Sequence, residues 1–342
     1  MPENIAIQLN RSVPLPRYSL TNIKNTKMCA LKSLTVQSTR LLLRPFRDDD
    51  ATALLALNSD PKVLEFTADA PFQDKADALD FIKTYRKDTP AGLGRYAVIR
   101  RQDEEFLGWC GLKYHPEADV VDLGYRFFQA HWNKGYATEA ANAMITYGFD
   151  RLKYPFLVAH SHIKNFGSQK VLERCDFKQI KQITYDNQPA FLYKKDNPEY
   201  SIKEISARQT WPVRHPVLRK GRPLEEVYMQ ADEAPTTFHL GVYYKKELVG
   251  VASFMEDTHP DFEGKQARLR GMAVLPDYRK KGLAGLLLKK GENLLRQKDK
   301  DLLWFNARIV ALSFYKKMGY QTIGSEFDIP LVGPHYVMKK NL

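Results

Sequence analysis

A chain of 342 residues exceeds one average domain, so two domains of roughly 150 residues each are expected. Its 44% hydrophobic and 12% aromatic residues supply two cores, yet no apolar run approaches the roughly 18 residues of a membrane span, and the first residues lack the continuous apolar region of a secretory leader. The net charge of +12 admits nucleic acid or a polyanionic cofactor as partner; lysines spread along the chain, without zinc-finger spacing or an RRM-type aromatic motif, favour the cofactor.

In chain order, residues 1–34 form a mixed polar segment with Pro14 and Pro16 and no sustained periodicity, expected to be a loosely docked tail, with Met28 as a possible alternative start. A strand follows from Thr39 to Phe46, and Asp48, Asp49 and Asp50 mark a helix start, where carboxylates suit the dipole. Helical stretches are expected over 51–57 and 75–85, then strands over 96–100, 106–114 and 120–127. Next come the turn Trp132-Asn133-Lys134-Gly135 and a helical stripe of Ala137, Ala140, Ala141, Met144, Ile145 and Gly148. A strand over 156–160 and a short helix from Asn165 to the exit aromatic Phe177 complete this half. The cysteines, Cys29, Cys110 and Cys175, are odd in number and scattered, which fits a reducing cytoplasm and offers no metal-ligand spacing.

A polar bridge from Lys195 to Tyr200 separates the halves. The second half restarts with a strand over 202–205, a loop-rich basic segment to Arg222, a polar stretch to Thr237, and strands over 239–244 and 248–255. A further strand runs to Val274, Pro276 and Asp277 break it, and Leu283, Leu286, Leu287, Leu294 and Leu295 recur at helical spacing. The turn between them holds Arg279, Lys280, Lys281, Gly282 and Ala284, so a helix N-terminus with free backbone N–H groups sits beside three cations. Such a site suits a phosphate, although neither the P-loop pattern nor G-x-G-x-x-G is present. A strand over 302–306 and a helix from Ala311 to the turn at Gly319-Tyr320 follow, so the second half repeats the plan of the first.

Arg279-x-x-Gly282-x-Ala284 after a strand resembles the acyl-CoA pyrophosphate loop of the GNAT superfamily of N-acetyltransferases. The first half, over about 34–195, resembles the Rim-type branch, which modifies N-termini of ribosomal proteins. It does so through Thr39 to Pro45, the run from Trp132 to Ala140, and Asn165-x-x-Ser168-x-x-Val171-Leu172-Glu173. Two departures stand out: Trp132 where the general signature has Gln or Arg, and Asp176 where a glycine usually precedes the aromatic. The resemblance implies an α/β architecture of mixed sheets: a tail (1–34) and two tandem GNAT domains (35–198 and 199–342). It also implies acetyl transfer from acetyl-CoA to an amine in the cytoplasm, without a metal. Expected cofactor contacts are Asn133, Lys134, Gly135, Tyr136, Ala137, Thr138 and Asn165 in the first half. In the second they are Met272, Ala273, Val274, Arg279, Lys280, Lys281, Gly282, Leu283, Ala284 and Asn306.

The resemblance makes Tyr315 the expected proton donor to the departing thiolate in the second half, with Phe314 in the core. Aligning the exit turns sets Leu172 opposite Tyr315, so Ser168 becomes the candidate in the first half, against a plainer role as a helix-start hydroxyl. No general base is legible. Glu117, Asp119 and Asp122 surround a strand end, where carboxylates are usually solvated, and His335 is a weak alternative. Arg268 and Arg270 suit either a substrate carboxylate or a buried network. One half, the first rather than the second, could instead be a non-catalytic binding module, since fold does not fix function.

Overall fold

The computed structural model describes residues 35–88 and 92–342, so the expected N-terminal tail and Cys29 lie outside the described residues. The chain divides into two compact units, the first ending at Asn197 and the second beginning at Pro198.

The first unit contains β1 (Val36–Gln37), β2 (Leu41–Pro45), α1 (Ala51–Ser59), α2 (Pro61–Leu64), α3 (Lys75–Asp88), β3 (Gly94–Arg100), β4 (Phe106–His115) and β5 (Val120–Phe127). It continues with α4 (Tyr136–Thr146), β6 (Phe156–His162), α5 (Phe166–Arg174), β7 (Lys178–Tyr185) and β8 (Gln188–Asp196). The sheet order is β1-β2-β3-β4-β5-β6-β8-β7, and β5 with β6 is its parallel pair. Strand alternation sorts the two faces. Leu41, Leu43, Tyr96 and Val98 join α4's Ala140, Ala141 and Met144 in one core, whereas Leu42, Ala97 and Ile99 meet Leu54 of α1 and Ile82 of α3 in another. Entry to α1 is fixed by Arg44 and Asp50, a buried bidentate pair at 2.7 and 2.8 Å, with Asp50 also accepting from the Arg47 N–H at 2.7 Å.

The second unit contains β9 (Tyr200–Ile205), α6 (Trp211–Leu218), β10 (Phe238–Tyr244), β11 (Glu247–Met255), β12 (Gln266–Val274), α7 (Leu283–Gln297), β13 (Leu302–Arg308), α8 (Leu312–Lys317), β14 (Gln321–Ile329) and β15 (Gly333–Asn341). Its order is β14-β15-β13-β12-β11-β10-β9, with β12 and β13 parallel. The stripe of Leu283, Leu287, Leu288 and Leu295 seats α7 on the sheet against Leu240, Phe254 and Leu269, while Val213 of α6 covers Val251 and Ala273 on the other face. The turn after α8 is anchored from below. Buried Glu292 accepts from the Tyr320 hydroxyl at 2.8 Å and from Lys340 Nζ at 3.0 Å.

The expected helices and inner strands form, but each unit also ends in a hairpin that periodicity missed. β7 is an edge strand whose residues are almost all exposed, so no apolar alternation marks it. The two-residue turn Asp186-Asn187, at φ 47° and 61°, was its readable signal. The polar bridge shrinks to Asn197, Pro198 and Glu199, because Lys195 and Asp196 belong to β8 and Tyr200 to β9. The supposed basic loop before Arg222 contains α6, which has a proline at its start, where a missing N–H costs nothing.

Candidate active site

In each unit the strand of the parallel pair that comes first runs into the same loop. In the first, the Trp132 indole N–H donates to the Phe127 carbonyl at 2.8 Å, Asn133 and Gly135 take φ 60° and 80°, and α4 begins without a side-chain cap. In the second, Arg279 Nε donates to the Val274 carbonyl at 3.0 Å, Lys280 and Gly282 take φ 55° and 81°, and α7 likewise begins uncapped. Both loops combine an uncapped helix start with a left-handed turn, an arrangement of backbone N–H groups that suits an anion. Arg40 braces the first. Its Nη1 donates to the Lys134 carbonyl at 3.1 Å, its Nε to Glu139 at 2.6 Å, and its guanidinium lies 4.4 Å from the Tyr136 ring centre. In the second loop Lys281 folds back, donating to the Asp277 carbonyl at 2.6 Å. Two of its three cations are thus spent on holding the loop itself.

Beside each loop the parallel strands part. β5 and β6 pair only at Asp122 with Val158. β12 and β13 pair from Gln266 with Leu302 to Arg268 with Trp304, after which β12 continues to Val274 with that edge unpaired by β13. Met272, Ala273 and Val274 therefore border a wedge whose backbone groups can pair with an extended ligand arm, as an added strand would. Gly271 sits at the bulge there with φ 59°, and an added Cβ would lie 2.6 Å from Arg214 Nε. Gly124 has the matching place in the first unit, 2.6 Å from the Arg95 guanidinium on the same test.

The short helix after each second parallel strand carries the expected hydroxyls. Asn165 Oδ1 caps α5 by accepting from the Ser168 N–H at 3.0 Å. The Ser168 hydroxyl is consequently not the cap; it lies 3.1 Å from the Tyr125 hydroxyl, which also donates to the Ser168 carbonyl at 2.9 Å. In the second unit the Tyr315 ring packs 4.4 Å from Phe305, and burial pushes its hydroxyl pKa well up, keeping it protonated as a donor must be. The exit turns match: Phe177 N–H bonds to the Leu172 carbonyl and Tyr320 N–H to the Tyr315 carbonyl, each at 3.0 Å. Asp176 at φ 59° holds the left-handed place that Gly319 holds at 86°, so that departure leaves the turn intact. Seven residues before Leu172 stands Asn165, and seven before Tyr315 stands Arg308; Asn306 lies two residues further inside β13.

The surroundings of the parted strands differ between the units. In the first, a cavity of about 800 Å³ is lined by Asn133, Gly135, Tyr136, Ala137, Thr138, Asn165 and Ser168, though not by Lys134. Arg95, Asp122, His160 and Tyr185 line it as well. Glu117 is exposed, and Asp119 accepts from the Tyr114 hydroxyl at 2.7 Å. Asp122 is buried rather than solvated. Burial raises its pKa, but Arg95 at 2.7 and 3.1 Å and His115 at 3.1 Å outweigh that and hold it well below the usual carboxylate range. In the second unit Arg214 and Asp232 form a fully buried pair at 2.5 and 3.1 Å, continued by Ser253 at 2.6 Å from Arg214 and 2.6 Å from His239. Arg268 belongs to a structural network, paired with Asp257 at 2.7 Å and stacked 4.4 Å from Trp304. His335 is set in the sheet, 4% exposed, with Nδ1 2.6 Å from the Gly333 carbonyl.

Comparison with known proteins places this geometry. Residues 40–178 match the family described as Acetyltransferase (GNAT) domain, and residues 200–320 the Acetyltransferase (GNAT) family. An uncharacterized N-acetyltransferase of Bacillus subtilis, YitI, is 38% identical over 142 residues, which is 41% of this chain and 95% of the relative. The chain belongs to the GNAT acetyltransferases. Another relative, the uncharacterized N-acetyltransferase p20 of Bacillus licheniformis, is 31% identical over 147 residues, 42% of this chain and 83% of that protein. The crystal structure of a GNAT-family acetyltransferase from Bacillus anthracis aligns with 48% of this chain and 100% of its own, at 25% identity and a TM-score of 0.43.

Two GNAT domains thus stand in tandem in an acetyl-CoA-dependent N-acetyltransferase. Among the described residues no helix is long and apolar enough to cross a membrane, and no group of three or more His, Cys, Asp or Glu comes together as a metal site. Burial pushes the Cys175 thiol up to about 11, and Cys110 is wholly enclosed, so both thiols are inert. Sequence reasoning missed Tyr125, His160 and the Arg214–Asp232 pair, each of which acquires its neighbours from another element of the fold. Nothing in the motif that contains Arg40 marks its clamp on the Gly135 loop, which only the fold assembles.

Proposed function

We propose that both units bind acetyl-CoA and that acetyl passes to a primary amine, either a small-molecule amine or a protein N-terminus. The observation that carries this is the repeated construction: two left-handed glycines, each opening an uncapped helix beside a parted parallel strand pair. The loop N–H groups would hold the diphosphate, with Gly135 to Thr138 in one unit and Lys281 to Ala284 in the other as the closest backbone. The unpaired edge of β12 from Met272 to Val274 would carry the pantetheine arm. Tyr315 would protonate the departing thiolate in the second unit and Ser168 in the first, where Tyr125 supports the hydroxyl chain.

The amine must attack neutral. A free α-amine with a pKa of about 8 needs little help, whereas a lysine-like amine of about 10.4 needs a base or a desolvating pocket. Leu172 in place of a tyrosine favours a second reading, in which the first unit binds the cofactor without turning it over. Titration calorimetry with acetyl-CoA and a thiol-release screen of amines, aminoglycosides and peptide N-termini test both. Two equivalents bound and turnover by each unit support tandem enzymes; one equivalent leaves a single functional half, and none overturns the proposal.

A further inference from the structure

Of the two sheet faces of the first unit, α4 covers one, and the opposite face carries the residues beside which an acceptor amine would arrive. Leu123, Leu157 and Ala159 point to the α4 core, so the alternation sets Asp122, Val158 and His160 on the acceptor side. Asp122 marks the point where β5 and β6 pair, and His160 lies two residues beyond Val158, at the opening of the wedge. Its ring lies flat on Tyr185, centroids 4.1 Å apart and planes at 9°, and edge-on to His115 at 6.3 Å.

The hydrogen bonding of this cluster singles out one member. Asp122 is committed to Arg95 and His115, and His115 to Asp122. Among the described residues, His160 Nδ1 is buried with no hydrogen-bond partner and none engages its other nitrogen, although the residue lines the cavity. A buried polar atom left so is destabilising, and such exceptions gather where chemistry needs them.

We propose that His160 is the proton acceptor that converts the incoming ammonium to the free amine in the first unit. The assignment rests on the reading of that unit as a transferase. A proton passes from R–NH₃⁺ to the imidazole, and the freed nitrogen lone pair forms the C–N bond at the thioester carbonyl. The tetrahedral adduct expels the thiolate as the C–S bond breaks. The surplus proton on nitrogen reaches the sulfur through the Ser168 hydroxyl, giving amide and CoA thiol, and the imidazolium returns its proton to solvent through the open cavity. Asp122 on β5 and Asp186 in the β7–β8 turn favour the imidazolium, His115 on β4 and Arg95 on β3 oppose it, and Tyr185 on β7 supplies the apolar floor. Burial dominates, so the ring's pKa is lowered and it rests neutral, ready to accept.

The test uses the full chain carrying Gly282→Glu, so that only the first unit turns over, with acetyl-CoA and two probe amines, serinamide and n-butylamine. Adding His160→Gln should lower kcat/KM at neutral pH by about 100-fold or more, with more loss for the more basic butylamine. The low-pH limb set by the imidazole should vanish, KM for acetyl-CoA should stay within about twofold, and added imidazole should restore part of the rate. Where glutamine disturbs folding, His160→Phe keeps the stack on Tyr185 and carries the same comparison. An unchanged rate and pH profile, or an equal loss at every pH without imidazole rescue, overturns His160 alone. A Gly282→Glu chain that binds one acetyl-CoA yet acetylates neither probe overturns the transferase reading of this unit and the assignment with it.

Discussion

The two loops that open α4 and α7 reach one backbone shape from different residues. Trp132 and Arg279 share neither size, charge nor shape, yet each donates one N–H to the carbonyl that ends its strand, at 2.8 and 3.0 Å. Asn133 and Lys280 then accept a left-handed turn, and glycine follows two residues later in both. The requirement is a donor at a fixed reach and a tolerated positive φ, which an indole meets as well as a guanidinium. Beyond the loops the units diverge. The first places ionisable residues around an open cavity, while the second closes its charges into the Arg214–Asp232–Ser253–His239 network.

The comparison breaks most decisively at the glycines. Gly282→Glu adds about 1–3 kcal/mol of backbone strain at φ 81° and sets a negative charge where the diphosphate is proposed to bind. Calorimetric stoichiometry should fall from two to one, and Gly135→Glu should do the same for the other unit; a retained second site would refute the loop assignment. Next in size, Tyr315→Phe should lower turnover by the second unit about 100-fold while leaving acetyl-CoA affinity within about twofold. Equal rates in steady-state assays would remove the hydroxyl from the mechanism. Trp132→Phe keeps the ring and deletes only the N–H, so it should weaken binding by the first unit by about 1 kcal/mol, and Trp132→Arg should recover most of it. Calorimetry on the Gly282→Glu background reads both, and an arginine no better than phenylalanine would show that the shared hydrogen bond is incidental.

The smallest effect is on acid stability. Burial lowers the pKa of His160 in the first unit and of His239 in the second. Below the unfolded value of about 6.5 the unfolded chain binds more protons than the native one, so this stability is complete above that pH and is lost as pH falls toward the native pKa. Asp122, held low, adds a second loss in the first unit alone, beginning below about 4. Thermal melts across this range should show both steps, and His160→Gln should flatten the upper one in the first unit; an unchanged slope would contradict the neutral buried ring.

Helices with a wide apolar stripe, such as α7, and strands with a continuous apolar run, such as β3 with both faces buried, were legible because their pattern is written locally. So were the two loops, whose glycines and basic residues are consecutive. The edge strands β7 and β14 were not, since a strand paired on one side and wetted on both faces needs no alternation. Nor was α6, whose residues look like a basic loop until Val213 meets Val251.

The sequence by itself determined the tandem plan, the family and the two glycine turns, because each is encoded in a contiguous run of residues. Only the tertiary structure decided that the Trp132 N–H makes the bond Arg279 makes, that Asp122 is buried and committed, and that His160 is left with an unpartnered nitrogen. The partners of Asp122 lie on β3 and β4, and sheet register, not a sequence motif, sets Arg95 and His115 against it.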